Sequence, residues 1–250
     1  MCRLLGYTSN KAISFDQAIG PDFQEFVKLA DDHCDGWGIA SSEKDLYREP
    51  VSATKSSHFK DEIAKHKSPG ALLHLRWATP GLPVAEKNTH PFTYGDISFI
   101  HNGALLPGDQ LDSKIPDHLK AKITGDTDSE RYFWFVISEI EKNGFVEGVK
   151  SALSYIKKNI TYSSVNCMIM NKETFIAACI YNQDRIPDRF KDQVDYYRLK
   201  YTERDGNVIV GSSGWNQSGW QELPNGSLLV VDRNTQNCEL INLESPRPGQ

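Results

Sequence analysis

Apolar positions divide the chain into three stretches: short strands with helices among them, two longer helices, then strands again. Residues 4–7 form an apolar segment directly after the first three residues. An extended apolar run so close to a chain start predicts a strand built into a core. Residues 10–14 read as a turn or loop. Phe23, Phe26, Val27 and Ala30 recur on one helical face, which predicts a helix over 22–30. Residues 35–40, D-G-W-G-I-A, read as a short strand entered through glycines, with Trp37 either against the core or lining a pocket. A short amphipathic helix follows at 58–66 and ends at Ser68-Pro69-Gly70.

Residues 71–77 alternate as a strand, and its two faces differ. Ala71, Leu73, Leu75 and Trp77 share one face, while His74 and Arg76 share the other with Leu72. Residues 84–92 are turn-like. A second strand over 97–101 runs into Asn102-Gly103, a strong turn signal, and 105–116 is irregular. Thr127 with Glu130 forms a capping-box pattern that opens the clearest helix, 129–141. Gly144 separates it from a helix over 146–158, whose stripe is Val149, Ala152, Leu153 and Ile156. From Ser163 the period becomes two, predicting strands at 164–170, 174–181, 208–212, 227–232 and 238–243. Residues 185–199 read as an exposed charged and aromatic loop, with a strand near 196–201. Residues 244–250 read as a flexible tail. Strands, paired helices and strands again predict an α+β fold in a single domain over 1–250, with two antiparallel sheets and helices outside.

Composition narrows the function classes. Apolar residues make up 39% and charged residues 24%, which suits a packed chain and not a disordered one. The net charge of −5 carries no basic block, so no nucleic-acid partner is expected. No apolar run reaches the roughly 18 residues that would signal a membrane span. The first residues also lack the basic-then-apolar pattern of a secretory leader. Cys2, Cys34, Cys167, Cys179 and Cys238 are widely spaced with no C-x-x-C pair, so neither a disulfide scaffold nor a zinc site is expected, and a reducing cytoplasm is. Cys167 and Cys179 lie in apolar runs that place them in the core.

The candidate chemistry sits at strand ends. Removal of Met1 would leave Cys2 with a thiol and a free α-amine, a nucleophile and a base on one residue. Arg76 needs a carboxylate partner that its neighbours do not supply. Asn102-Gly103 is a turn, or a pair of N–H donors for a developing oxyanion. Asp128 complements a helix dipole, or accepts from a substrate ammonium. Convergence of these groups would suit a substrate with one carboxylate, one ammonium and a reactive carbonyl: glutamine or another γ-glutamyl compound.

M-C-R-L-L-G, D-G-W-G-I-A, H-L-R-W-A-T, N-T-H-P-F, H-N-G and T-D-S-E occur in that order between residues 1 and 130. In these pieces the chain resembles the class II glutamine amidotransferases, the N-terminal-cysteine branch of the Ntn hydrolases. It looks closest to small stand-alone members, a group that includes γ-glutamyl amidohydrolases of ergothioneine biosynthesis and of glutathione breakdown. I-V-G-S-S-G-W, at 209–215, matches more loosely. The resemblance implies a four-layer αββα sandwich, Cys2 as nucleophile and an oxyanion hole made by Asn102 and Gly103. It also implies substrate contacts at Arg76, Trp77, Thr79, His90 and Asp128. Arg76, helped by Thr79, would hold the α-carboxylate and Asp128 the α-ammonium. His74, His90 and His101 are expected as scaffolding of the pocket and not as acid–base groups. No cofactor and no metal are implied. The reaction implied is release of glutamate and ammonia through a γ-glutamyl thioester, with a larger γ-glutamyl compound as the alternative substrate and a non-catalytic subunit as the other class. With no room for a synthase domain, ammonia would pass to a separate accepting or peptidase-type partner protein, or the chain acts alone. Residues 185–199 and Trp215 are the candidates for specificity at the pocket rim.

Overall fold

The computed structural model of the protein describes residues 2–42 and 45–243. Its strands are β1 (Arg3–Ile13), β2 (Gly36–Ser41), β3 (Leu46–Glu49), β4 (Ser68–Arg76), β5 (Phe92–Tyr94), β6 (Ile97–Leu105), β7 (Tyr162–Met170), β8 (Thr174–Cys179), β9 (Leu199–Arg204), β10 (Asn207–Ser212), β11 (Gln221–Leu223), β12 (Ser227–Asp232) and β13 (Cys238–Asn242). The helices are α1 (Phe15–Ile19), α2 (Phe23–Lys28), α3 (Phe59–Lys65), α4 (Asp117–Lys120), α5 (Asp128–Asn143) and α6 (Phe145–Asn159). One antiparallel sheet runs β11-β9-β10-β1-β4-β2-β3 and the other β13-β12-β8-β7-β6-β5. No helix among the described residues is long and apolar enough to cross a membrane.

Alternation along the strands builds three apolar interfaces. In β4, Ala71, Leu73 and Leu75 pack with Phe15, Phe23, Phe26 and Phe59 of α1–α3, while Leu72 joins Leu4, Ile100, Met168 and Phe175 between the sheets. Phe99, Cys167 and Ile169 turn outward to meet Phe133, Leu153 and Ile156 of α5 and α6. The result is an α+β sandwich of helices, sheet, sheet and helices. Because β1 lies between β10 and β4, the chain start is held on both sides and buried from Arg3 to Ser9. Cys167 and Cys179 are core residues, as their apolar runs predict.

Several expected boundaries move. Residues 10–13 continue β1 through a register shift and do not turn away. Ser68-Pro69-Gly70 opens β4 and does not merely end α3. The 22–30 helix is broken, with α2 flanked by 3-10 turns. Asn102-Gly103 is no turn: β6 runs through it, with Asn102 opposite Asn166 and Gly103 opposite Val165. The strand expected near 196–201 is β9, displaced toward residue 204. The expected flexible tail at 244–250 lies outside the described residues.

Candidate active site

The face of β4 that carries Leu72 also carries His74 and Arg76, so both side chains enter the space between the sheets. Cys2 belongs to the same layer as Leu4, two positions on. Asn102 follows Ile100 on the inner face of β6. The inner faces of these strands therefore deliver a cysteine, an arginine and an asparagine to one place.

Cys2 is 8% exposed, and its main-chain N–H donates to Asn102 Oδ1 at 2.7 Å. Its Sγ lies 3.9 Å from the Trp77 carbonyl oxygen. Asn102 is fully buried, and its Nδ2 has no hydrogen-bond partner among the described residues. An unmatched buried amide N–H costs about 1–3 kcal/mol, so this one is available to a ligand acceptor. Beside it, Gly103 has φ +154°, and a Cβ there would stand 1.9 Å from the Ser164 carbonyl oxygen. Only glycine fits where β6 presses this closely on β7.

Arg76 closes β4 at 3% exposure. Its guanidinium donates to the Asp35 and Pro83 carbonyl oxygens at 3.4 and 3.3 Å, and no carboxylate pairs with it among the described residues. Burial lowers its pKa, opposed by Cys2 and Asp35. Asp35 braces the segment beyond: its Oδ2 accepts the Ala78 N–H at 2.8 Å, and its own N–H donates to the Arg76 carbonyl at 2.9 Å. Asp128 opens α5, and its Oδ2 accepts the Leu105 N–H at 2.8 Å. The Thr127 hydroxyl caps α5 by accepting the Glu130 N–H at 3.2 Å. The reciprocal half of the expected capping box is absent, because the Glu130 carboxylate accepts instead from the Thr124 and Gly125 N–H groups.

Cys2, Arg76, Trp77, Thr79, His90, Gly103 and Asp128 line one narrow cavity, with Asn102 directly behind Cys2. All eight sequence-derived positions thus come together. They do not contribute alike: Thr79 is exposed at the rim, whereas both ring nitrogens of His90 are buried without a partner among the described residues. The cavity shares Thr79, Leu82 and Asp128 with a wider groove.

His90 in the cavity wall and His74 and His101 behind it are buried, and burial favours their neutral form. Burial pushes His74 down to about 3 and His90 well below the ordinary range; it lowers His101 too, with Asp128 opposing. His74 donates from Nε2 to the His101 carbonyl at 3.1 Å, and the His74 and His90 rings lie 4.2 Å apart. His101 donates from Nε2 to the Ser164 carbonyl at 3.2 Å, so its Nδ1 accepts from the Ser129 hydroxyl at 2.8 Å. Among the described residues no group of three or more His, Cys, Asp or Glu side chains is arranged to hold a metal ion.

Residues 185–199 are an exposed loop only in part: Arg185, Asp188, Arg189 and residues 191–194 are exposed, but its aromatic residues are not. Phe190, Tyr196 and Tyr197 are buried, and Phe190 stacks on Tyr196 at 4.5 Å and meets Trp77 edge-on at 5.4 Å. Beneath this strap lies Arg3, 1% exposed, donating to the Tyr196 carbonyl at 2.8 Å with its guanidinium 4.0 Å from the ring centroid. The aromatic spacing was the available signal, masked by seven charged neighbours between 184 and 195. Trp215 does not rim the cavity; it packs edge-on against Phe26 and Trp220 on the helix side. Trp37 is likewise a core residue, fully buried against Tyr47 and Phe59.

The sequence profile of the class-II glutamine amidotransferases matches residues 1–248. The chain belongs to that family. This class-II glutamine amidotransferase is similar to an uncharacterized protein of Methanocaldococcus jannaschii, at 28% identity over 96% of this chain and 71% of the relative. It is similar to the probable glutamine amidotransferase DUG3 of Saccharomyces cerevisiae at 30% identity, over 44% of this chain and 34% of the yeast protein. A glutamine–fructose-6-phosphate aminotransferase of Wigglesworthia glossinidia brevipalpis matches at 34% identity over 43% of this chain and 17% of its own length. The chain thus matches only a minor part of those last two proteins. A glutamine aminotransferase class-II domain protein from Silicibacter pomeroyi superposes with a TM-score of 0.66 at 20% identity, over 96% of this chain and 99% of that one. The allosteric regulatory enzyme of purine biosynthesis superposes at 0.67 and 17% identity, over 98% of this chain and 50% of that one. These likenesses carry the fold: the sandwich is that of the class-II amidotransferases.

The wall of this family member's cavity also includes Asn88 and Ser129, which were not among the sequence-derived site positions. Both lie inside motifs already singled out, N-T-H-P-F and T-D-S-E, where their neighbours drew the attention.

Proposed function

We propose that the protein hydrolyses the γ-glutamyl amide of glutamine, with Cys2 as nucleophile. The observation that carries this is a buried cysteine whose main-chain nitrogen is tethered to Asn102, in a cavity that also holds an aspartate at a helix start and an arginine with no carboxylate partner among the described residues.

Release of the residue preceding Cys2 would turn that nitrogen into an α-amine, still within reach of Asn102 Oδ1. An α-amine has an ordinary pKa of about 8, so part of it is free base near neutrality and takes the thiol proton. The thiolate attacks the amide carbon, and the oxyanion accepts from Asn102 Nδ2 and the Gly103 N–H. The ammonium returns its proton to the departing ammonia, leaving a γ-glutamyl thioester that water hydrolyses to glutamate and free thiol. Arg76 takes the α-carboxylate as a two-pronged donor, with Thr79 beside it, and Asp128 takes the α-ammonium. Trp77 and the neutral trio His74, His90 and His101 shape the wall; depressed basicity suits them to packing and not to proton transfer. The wider groove opens at Thr79 and Asp128, the end that receives the amino-acid head, and serves as the entrance. A reducing compartment such as the cytoplasm keeps the nucleophile a thiol.

Glutamate release measured across glutamine, glutathione and other γ-glutamyl amides tests this reading. Glutamine should be cleaved, and Cys2→Ala should abolish release while the melting profile stays that of the wild type. Unchanged release by Cys2→Ala would overturn it. Preference for a larger γ-glutamyl compound would transfer the same chemistry to that substrate, and an ammonia-accepting or peptidase-type partner would then be sought accordingly.

A further inference from the structure

Asn88 lies in the loop between β4 and β5, is fully buried, and uses both ends of its side-chain amide. Nδ2 donates to the Pro83 carbonyl at 3.2 Å and to Asp126 Oδ2 at 3.1 Å, while Oδ1 accepts the Asp126 N–H at 2.8 Å. The same Pro83 carbonyl accepts from Arg76 Nη2 at 3.3 Å. Asp126 stands two residues before Asp128, in the turn that leads to the Thr127 cap of α5. Gly125 makes room for the contact, because a Cβ there would lie 2.6 Å from Asn88 Oδ1. One buried amide therefore joins the loop that follows Arg76 to the turn that presents Asp128.

We propose that Asn88 is a positioning residue that fixes the spacing between the Arg76 guanidinium and the Asp128 carboxylate. Through that spacing it selects substrates with a complete α-amino-acid head over amides that lack one of its charges. The inference rests on the assignment of Arg76 and Asp128 to the α-carboxylate and α-ammonium. Those two substrate groups are carried on a single carbon, so their separation is fixed and the two protein groups must match it. Arg76 ends β4 and Asp128 opens α5, the two do not pair with each other, and the two Arg76 bonds to carbonyls are long. Asn88 is the buried link between the segment after Arg76 and the turn before Asp128, beside a solvent-exposed ion pair of Lys87 with Asp126 at 2.9 Å. Aspartate could not replace it: a carboxylate has no donor for Pro83 and would repel Asp126. A displacement of about 1 Å in such a clamp costs on the order of a hundredfold in rate.

The test compares glutamine with 4-carbamoylbutanoate, the same amide without the α-ammonium, using ammonia release by the wild type, Asn88→Ala and Asp126→Ala. Asn88→Ala should raise the KM for glutamine by about tenfold or more with a much smaller change in kcat, and should cut the preference for glutamine by a similar factor. Asp126→Ala, at an exposed position that leaves folding intact, should shift the preference the same way by a smaller factor, and decides the matter if Asn88→Ala does not fold. Preference and KM within about twofold of wild type in the folded variants would overturn the proposal, since loss of mere packing support does not discriminate between head groups. A wild-type protein that cleaves no γ-glutamyl amide overturns the underlying reading, and this inference with it.

Discussion

Replacing Arg76 with methionine separates function from stability, because the two should move in opposite directions. Arg76 is a buried cation whose only bonds in the protein, among the described residues, are two long ones to carbonyl oxygens. Replacing buried charge by an apolar side chain of similar volume is often neutral or stabilising by about 1–4 kcal/mol. Arg76 faces the cavity, where solvent relieves part of its burial cost, so the lower end applies. A gain of about 1–2 kcal/mol corresponds to a Tm rise of about 2–8 °C in a chain of this size. Activity should fall instead. Truncating one partner of a buried charge pair costs about 2–5 kcal/mol. At about 1.4 kcal/mol per tenfold, that is a loss of roughly 30- to 4,000-fold in kcat/KM for glutamine. Thermal melting and coupled detection of glutamate read the two quantities on one preparation. A Tm lowered by about 5 °C or more with kcat/KM within about threefold of wild type would mean that Arg76 holds the fold together and not the substrate.

Acid should destabilise the protein early. Burial holds His33 at about 2 and His74 at about 3, with His90 and His101 lowered as well, whereas unfolded histidine titrates near 6.5. The unfolded chain therefore binds protons that the folded one refuses. The stability involved is present above about pH 6.5 and is lost as pH falls toward the folded pKa values, at about 2 kcal/mol per such histidine by pH 5. The urea midpoint should drop sharply between pH 7.5 and 5.0; equal midpoints would show that these imidazoles accept protons in the folded state. Gly103→Ala should cost about 3 kcal/mol or more, since its Cβ would collide with the Ser164 carbonyl at a positive φ, and an unchanged melting temperature would contradict that geometry.

What the sequence disclosed and what it concealed have physical reasons. Alternation in residues 71–77 separated the helix-facing Ala71, Leu73 and Leu75 from the inward His74 and Arg76, and that division is what delivers Arg76 to Cys2. The helix over 129–141 was legible because Thr127 marks its start, and the structure uses that hydroxyl as the N-cap. Asn102-Gly103 misled as a turn because Asn-Gly marks turns by local preference, whereas here long-range pairing with Asn166 and Val165 keeps the strand running. The glycine serves a close approach of backbones and not a reversal. Residues 185–199 misled for the opposite reason: charge hid three aromatic residues whose partners, Arg3, His33 and Trp77, are remote in sequence. Asn88 could not be singled out from the sequence at all, since its role depends on the meeting of two loops.

The central claim is that Cys2, freed at its amino group, carries the glutamyl group during turnover. Acid quenching of the protein while it consumes glutamine, followed by peptide mass spectrometry, reads this directly. The account predicts a peptide that begins at Cys2 and bears one glutamyl acyl group as a thioester. Glutamate release with Cys2 still preceded by methionine, or with the acyl group on another residue, would contradict it.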